Sequence, residues 1–136
     1  HFAAPADGLA RGMFYLHLGV GAFLIGGWLA PIDTLLALHL VLVPAVVAQW
    51  GINQGSCIIN NVESWLRSGR WRDPGNAEEG RFVAMLFCRL FGTSPSSGRI
   101  DALCYAIMAV VWLLGLGHLA LLNPPDVLAG LSSAAG

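Results

Sequence analysis

Residues 49–67 read QWGINQGSCIINNVESWLR, and at this point an apolar chain abruptly becomes polar. A long uncharged run precedes the stretch, and seven polar side chains then fall within fifteen positions: Gln49, Asn53, Gln54, Cys57, Asn60, Asn61 and Glu63. Polar side chains at the end of a membrane-length helix are costly unless they find partners. The stretch therefore predicts either a polar junction between helices or a functional site.

The composition around this stretch is that of a membrane protein. The 136 residues are 56% hydrophobic and only 11% charged, whereas a soluble domain carries about 25% charged residues. A chain this small in water has to cover most of its surface with polar groups. We therefore predict a single all-α integral membrane domain. The net charge of −1 argues against a nucleic-acid partner.

Three stretches are long and apolar enough to cross a bilayer, which takes roughly 20 residues. The predicted spans are residues 12–32, 34–54 and 102–122. Pro44 lies within the second span, where it should kink the helix or leave a carbonyl free. Residues 1–8 are expected to be a flexible start, because Pro5 and Gly8 disfavour a helix.

Two further segments, residues 56–68 and 77–91, have apolar side chains at helical spacing and polar ones between them. Their charges argue against spanning, so we expect two amphipathic interfacial helices. Glu63 and Arg67 are four residues apart in the favourable order. We expect Glu63 to pair with Arg67 or Arg70, or to accept a hydrogen bond from Asn60 or another helix.

The arginines indicate the orientation. Six of the seven lie between Arg67 and Arg99, and the seventh is Arg11. With three spans, all seven fall on one side, which the positive-inside rule makes the inner side. We therefore expect the N-terminus and both amphipathic helices inside and the C-terminus outside. The expected location is a bacterial inner membrane or an organellar energy-transducing membrane.

Three histidines lie in or at the predicted spans: His17, His39 and His118. Imidazole is a common haem ligand and also binds chlorophyll-type pigments, so these three are candidate cofactor ligands. The alternative is that each histidine bonds a neighbouring helix or faces the headgroups, with no cofactor at all.

The polar stretch itself offers no visible chemistry. Cys57 and Glu63 are six residues apart, which places them on different faces of a regular helix, and no histidine lies near Cys57 in sequence. The three cysteines show no metal-ligand spacing. We therefore expect no catalytic or metal site, and instead a structural polar junction made of Gln49, Asn53, Cys57, Asn60, Glu63 and Arg67.

The run from Cys57 to Arg67, Cys-Ile-Ile-Asn-Asn-Val-Glu-Ser-Trp-Leu-Arg, resembles a motif of small multi-span membrane proteins classed only as a domain of unknown function. That motif reads Cys-x-Leu-Thr-x-x-Glu-x-x-Leu-Arg, and a His and a Trp often precede it, as His39 and Trp50 do here. The resemblance covers roughly residues 38–92 and departs at Ile59 and Asn60. It implies a membrane fold and supplies no activity.

These observations favour a non-catalytic accessory subunit of a larger membrane complex, respiratory or photosynthetic, with membrane subunits and lipids as its partners. Gly12, Gly19 and Gly26 lie near one face of the first span, where small residues allow another helix to approach closely. The alternatives are a tetrapyrrole-binding membrane protein, of electron transport or photosynthesis, and a small transporter. The transporter is disfavoured because the predicted spans contain no Asp, Glu or Arg.

Overall fold

The computed structural model describes residues 3–71 and 81–122, and in this part of the chain it contains helices and no strand. The five α-helices are α1 (Ala3–Gly26), α2 (Asp33–Ile52), α3 (Ile58–Ser68), α4 (Arg81–Phe91) and α5 (Ser97–Leu122). A 3-10 turn, Gly27–Leu29, extends α1. Three helices are long and apolar enough to cross a membrane: Asp7–Leu29, Asp33–Ile52 and Ser97–Leu122. The predicted all-helical fold with three span-length helices is confirmed.

The start of α1 corrects one expectation. The helix begins at Ala3 and includes both Pro5 and Gly8, although residues 1–8 were expected to be irregular. Proline in the first turn of a helix forfeits no hydrogen bond, because the N–H groups there have no intrahelical partner. One glycine lowers helix stability by only about 1 kcal/mol, which a long apolar helix tolerates.

The core lies where α2 and α5 meet the C-terminal part of α1. Its buried side chains are Leu24, Val43, Met108 and Val111. Large apolar side chains elsewhere on the three span-length helices remain exposed, such as Leu18, Val41 and Leu113. Exposure of this kind indicates a surface that lipid or another protein covers.

Pro44 lies inside α2 and has the predicted effect on one carbonyl. Proline has no N–H, so the carbonyl of Leu40, four residues earlier, loses its helical hydrogen bond. The Trp112 indole N–H of α5 donates to this Leu40 oxygen at 2.9 Å. A helix interruption in lipid is tolerated when a neighbouring helix satisfies the freed group, and this bond also ties α2 to α5.

The amphipathic helix α3 makes the most extensive helix contact in the described part of the chain, with α1. Its polar side chains Asn60, Asn61, Glu63 and Ser64 are buried, while its apolar Ile58 and Trp65 are exposed. The helix therefore turns its polar face towards protein and part of its apolar face outward, which is the arrangement expected where the solvent is lipid.

The second amphipathic helix, α4, spans Arg81–Phe91 and contacts α5. It exposes Met85, Leu86, Leu90 and Phe91. The prediction placed this helix at residues 77–91, of which residues 77–80 lie outside the described part, as does the C-terminal tail from residue 123.

Candidate functional site

His39 of α2 lies completely buried against the end of α1. Its Nε2 donates to the Leu24 oxygen at 2.8 Å, since a carbonyl can only accept. A Cβ added at Gly27 would lie 2.6 Å from the His39 ring, and one at Gly115 would lie 3.2 Å from its Nδ1. Two helices thus approach the imidazole through glycines, and the ring fills the space that the missing side chains leave.

His118 of α5 makes a similar bond, and its acceptor lies one turn after Leu24 along the chain. Its Nδ1 donates to the Trp28 oxygen at 2.6 Å. The last carbonyls of a helix have no intrahelical donor, so side chains of neighbouring helices can bond them. His39 and His118 therefore close the C-terminal end of α1, and we call these two side chains with the Leu24 and Trp28 oxygens the histidine junction.

The histidine junction bears on the cofactor prediction. One ring nitrogen of each histidine is engaged by a backbone carbonyl. The remaining Nδ1 of His39 has no partner and is buried. The arrangement fits the alternative that these histidines bond neighbouring helices, and ligation of a tetrapyrrole stays a prediction without geometric support.

The polar stretch of residues 49–67 includes the connection from α2 to α3. The side-chain amides of Gln49 and Asn53 both donate to the Ser56 oxygen, at 2.6 and 2.9 Å. Gln54 has a positive φ of 54°, so the chain reverses tightly here. The predicted polar junction is therefore local at these positions, and it fixes where Cys57 and the first turn of α3 lie.

Cys57 is the N-cap residue of α3 and forms a hydrogen bond with His17 of α1. Along the chain no histidine lies near Cys57, and the fold supplies one from forty residues away. Sequence reasoning singled out both residues but could not pair them, because their contact depends on how α3 docks on α1.

The surroundings of Cys57 act on the pKa of its thiol in opposite directions. Burial raises the pKa of the thiol, but the hydrogen bond and positive charge of His17, together with the backbone N–H groups of Ile59 and Asn60, more than offset it. The net pKa of Cys57 is lowered from its ordinary value. A helix N-terminus and a neighbouring histidine are both features that lower cysteine pKa values.

The buried face of α3 carries more polar groups than its observed contacts require. Arg67 Nε donates to Glu63 Oε1 at 2.8 Å, which confirms the predicted ion pair. Glu63 Oε2 and Asn61 Nδ2 are buried without a hydrogen-bond partner. Most buried polar atoms in native proteins are paired, so this face has unused hydrogen-bonding capacity. We call Cys57, Asn60, Asn61, Glu63 and Ser64 with His17 the α3 junction.

A groove of about 340 Å³ lies between α2 and the start of α3. Its lining comes from the C-terminal half of α2 and the start of α3: Ala45, Ala48, Gln49, Ile52, Asn53 and Ile58. The lining is mostly apolar, and Ile58 follows Cys57 directly. Among the described residues, no group of three or more His, Cys, Asp or Glu is placed to hold a metal ion.

Comparison with known proteins gives no match: no family model, no protein of described function and no solved structure is significantly similar. The fold and site thus define a class only, an all-helical protein with three span-length helices and a histidine–cysteine pair. The motif resemblance at Cys57, Glu63 and Arg67 remains a prediction.

Proposed function

We propose that this chain is a non-catalytic subunit of a larger membrane complex, and that one face of α1 packs on a transmembrane helix of another subunit. The observation that carries this proposal is the open space beside Gly12, Gly19 and Gly26. Within residues 3–71 and 81–122, a Cβ added at any of the three would meet no atom within 4 Å apart from its neighbours in the helix itself.

The spacing of these glycines is that of a surface for helix packing. Three positions seven residues apart lie close to one side of a helix. Each glycine weakens the helix by about 1 kcal/mol relative to alanine, and no other helix of the described part of the chain fills the space beside it. In membranes, small residues at such spacing allow two helix backbones to approach closely, so a partner helix provides the compensating contact.

Two described glycines that lie against side chains of another helix support the same proposal. Gly27 and Gly115 accommodate His39 and Leu40 with tight contacts. Glycine in this protein therefore has a packing role wherever a neighbour is present. The open glycine face of α1 is the surface on which a neighbour is missing.

The decisive experiment uses the double substitution Gly19→Leu with Gly26→Leu. Added isobutyl groups on this face should prevent close approach, so native gels of solubilised membranes should show the tagged double variant released from the complex that holds the wild type. Its insertion should be unchanged.

Gly21→Leu is the matched control. Gly21 also has open space around its Cβ, but it lies nine residues, or two and a half turns, from Gly12 and so on the opposite side of α1. Retention of Gly21→Leu in the complex with loss of the double variant supports the proposal. Unchanged incorporation of the double variant would refute it.

The orientation belongs to the same proposal. The arginine asymmetry favours the N-terminus and residues 67–99 inside and the C-terminus outside, in a bacterial inner membrane or an organellar energy-transducing membrane. Arg70→Cys and Gly130→Cys, introduced singly after the three native cysteines are replaced, should be labelled from opposite sides by a membrane-impermeant maleimide. Labelling of both from one side would contradict three crossings.

A further inference from the structure

The helix α4 turns one side towards α5 and leaves the other side open. Ala84 and Phe87 are half-buried, and α4 contacts α5, so this side of the helix is the packed one. The exposed side chains that lie together on neighbouring turns of the other side are Met85, Leu86, Arg89 and Leu90. We call these four side chains the α4 face.

The connection to α5 holds α4 close to the end of a span-length helix. α4 ends at Phe91 and α5 begins at Ser97, and the five residues between them reach at most about 18 Å. Gly92 has a φ of 70°, and its N–H donates to the Cys88 oxygen at 2.8 Å. This is a left-handed turn of the kind that commonly closes a helix. The α4 face therefore lies near the level at which α5 would enter a bilayer.

This part of the chain is positively charged. Residues 81–100 contain three arginines and no acidic residue, whereas the rest of the chain contains four arginines and eight acidic residues. Arg89 and Arg99 are both exposed, and neither forms an ion pair with a described residue. An exposed apolar surface with uncompensated positive charge is complementary to a membrane surface that contains anionic headgroups.

The position of Arg89 suits a contact with lipid phosphate. It lies in the last turn of α4, beside the apolar Met85 and Leu86. A long arginine side chain can lie along apolar surface while its guanidinium reaches the headgroup level, and a guanidinium binds phosphate through paired hydrogen bonds. A protein partner would need an acidic group opposite Arg89, whereas an anionic bilayer supplies phosphates all along its surface.

We propose that the α4 face binds the surface of the membrane that the chain spans and prefers anionic phospholipids. Its three apolar side chains enter the acyl-chain region, and Arg89 contacts the phosphates. The arginine asymmetry favours the inner side for this helix, where anionic lipids produce a negative surface potential. The inference does not depend on the proposed subunit role, because the glycine face belongs to α1.

The test uses the full chain with a bimane fluorophore on Cys88, an exposed cysteine of α4, after Cys57→Ser and Cys104→Ser. The labelled chain is reconstituted in phosphatidylcholine nanodiscs. A small fraction of the lipid is either phosphatidylglycerol or phosphatidylcholine with a nitroxide on its acyl chain. A nitroxide quenches bimane only when the two are close, so quenching measures which lipid lies beside α4. Both lipids should quench, and the relative affinity for phosphatidylglycerol at low salt should be about fivefold, the contribution of one arginine at an anionic surface.

Arg89→Gln should bring this relative affinity close to one, because it removes the charge at the centre of the α4 face. Arg11→Gln is the matched control, since Arg11 is an exposed arginine of α1 on the same predicted side of the membrane. The control variant should keep the preference of the wild type.

Two further measurements separate the charge from the apolar contact. Salt screens charges over about 10 Å at 0.1 M, so raising the salt concentration should reduce the preference of the wild type. Leu90→Gln should weaken quenching by both lipids and leave their ratio unchanged, because it removes apolar contact alone. Arg89 and Leu90 are exposed, so neither substitution disturbs packing within the described part of the chain.

Three results would overturn the proposal. Absence of quenching by both lipids would show that water or a second copy of the chain covers the α4 face. Equal quenching by the two lipids in the wild type would remove the preference for anionic headgroups. A preference that survives both high salt and Arg89→Gln would show that this arginine is not its cause. None of these results changes what is expected of the glycine variants of α1, so the two proposals fail separately.

Discussion

The histidine junction and the α3 junction both place polar side chains between helices, but they differ in what those side chains do. At the histidine junction, each ring donates to one backbone carbonyl near the C-terminal end of α1. The α3 junction contains a thiol–imidazole pair and two buried polar atoms without hydrogen-bond partners, Asn61 Nδ2 and Glu63 Oε2.

The polar side chains of the histidine junction bond backbone carbonyls, whereas the α3 junction includes buried polar atoms that have no hydrogen-bond partner. Every donor at the histidine junction is accounted for by a backbone group, and the leftover Nδ1 of His39 is only an acceptor, the less costly kind of unpaired group. The α3 junction keeps a buried donor without a partner and holds a thiol whose pKa is lowered. We therefore expect substitutions at the first to act on stability and those at the second to act also on the pKa of Cys57.

The largest stability effect should come from Gly27→Leu. Even a Cβ at this position would lie 2.6 Å from the ring of His39, and His39 is fully buried, so the ring cannot move aside. Overpacking of this severity should lower the free energy of unfolding by about 3 kcal/mol or more, measured by denaturant titration in detergent. Gly19→Leu, with open space around it, is the matched control. Equal stability of the two variants would show that the junction is loosely packed.

A smaller effect is expected for Glu63→Gln at the α3 junction. Glu63 is 1% exposed, but its partner Arg67 is 44% exposed, so solvent screens part of the interaction. Removing one partner of a fully buried pair costs about 3–5 kcal/mol, and an exposed pair contributes at most about 1 kcal/mol.

We therefore expect Glu63→Gln to lower the free energy of unfolding by about 2 kcal/mol. Adding Arg67→Gln should recover part of this loss, because no arginine is then left without a counter-charge. A double variant whose loss equals the sum of the two single losses would argue against the ion pair as the cause.

The smallest effect concerns the bond between α5 and α2. Trp112→Phe removes the donor to the Leu40 oxygen and keeps most of the ring, so it should cost about 1 kcal/mol, as inter-helix hydrogen bonds in membranes do. In a Pro44→Ala background the backbone N–H of residue 44 can donate to Leu40 again, and the same substitution should then cost close to nothing. A cost that is equal in both backgrounds would mean that ring packing, and not the hydrogen bond, explains it.

The local features of this chain could be read from its sequence because they depend on local composition. Uncharged runs of span length predicted the three long helices, the spacing of four predicted the Glu63–Arg67 pair, and Pro44 predicted a freed carbonyl. The start of α1 was the exception. Pro5 was expected to disfavour a helix, but the first turn of a helix accepts proline.

The tertiary structure decided which distant groups meet. Amphipathic spacing showed that α3 has a polar face, but an amphipathic helix in lipid can turn that face towards water or towards protein, and only docking on α1 selects protein. The same docking brings His17 to Cys57. The packing of α2 against α1 and α5 makes Gly27 and Gly115 close neighbours of His39. The space beside the other three glycines of α1 stays open: Gly12, Gly19 and Gly26. A sequence records the side chains that each helix carries, whereas the rotation and tilt of helices, which arise from packing across the whole bundle, determine which of those side chains touch.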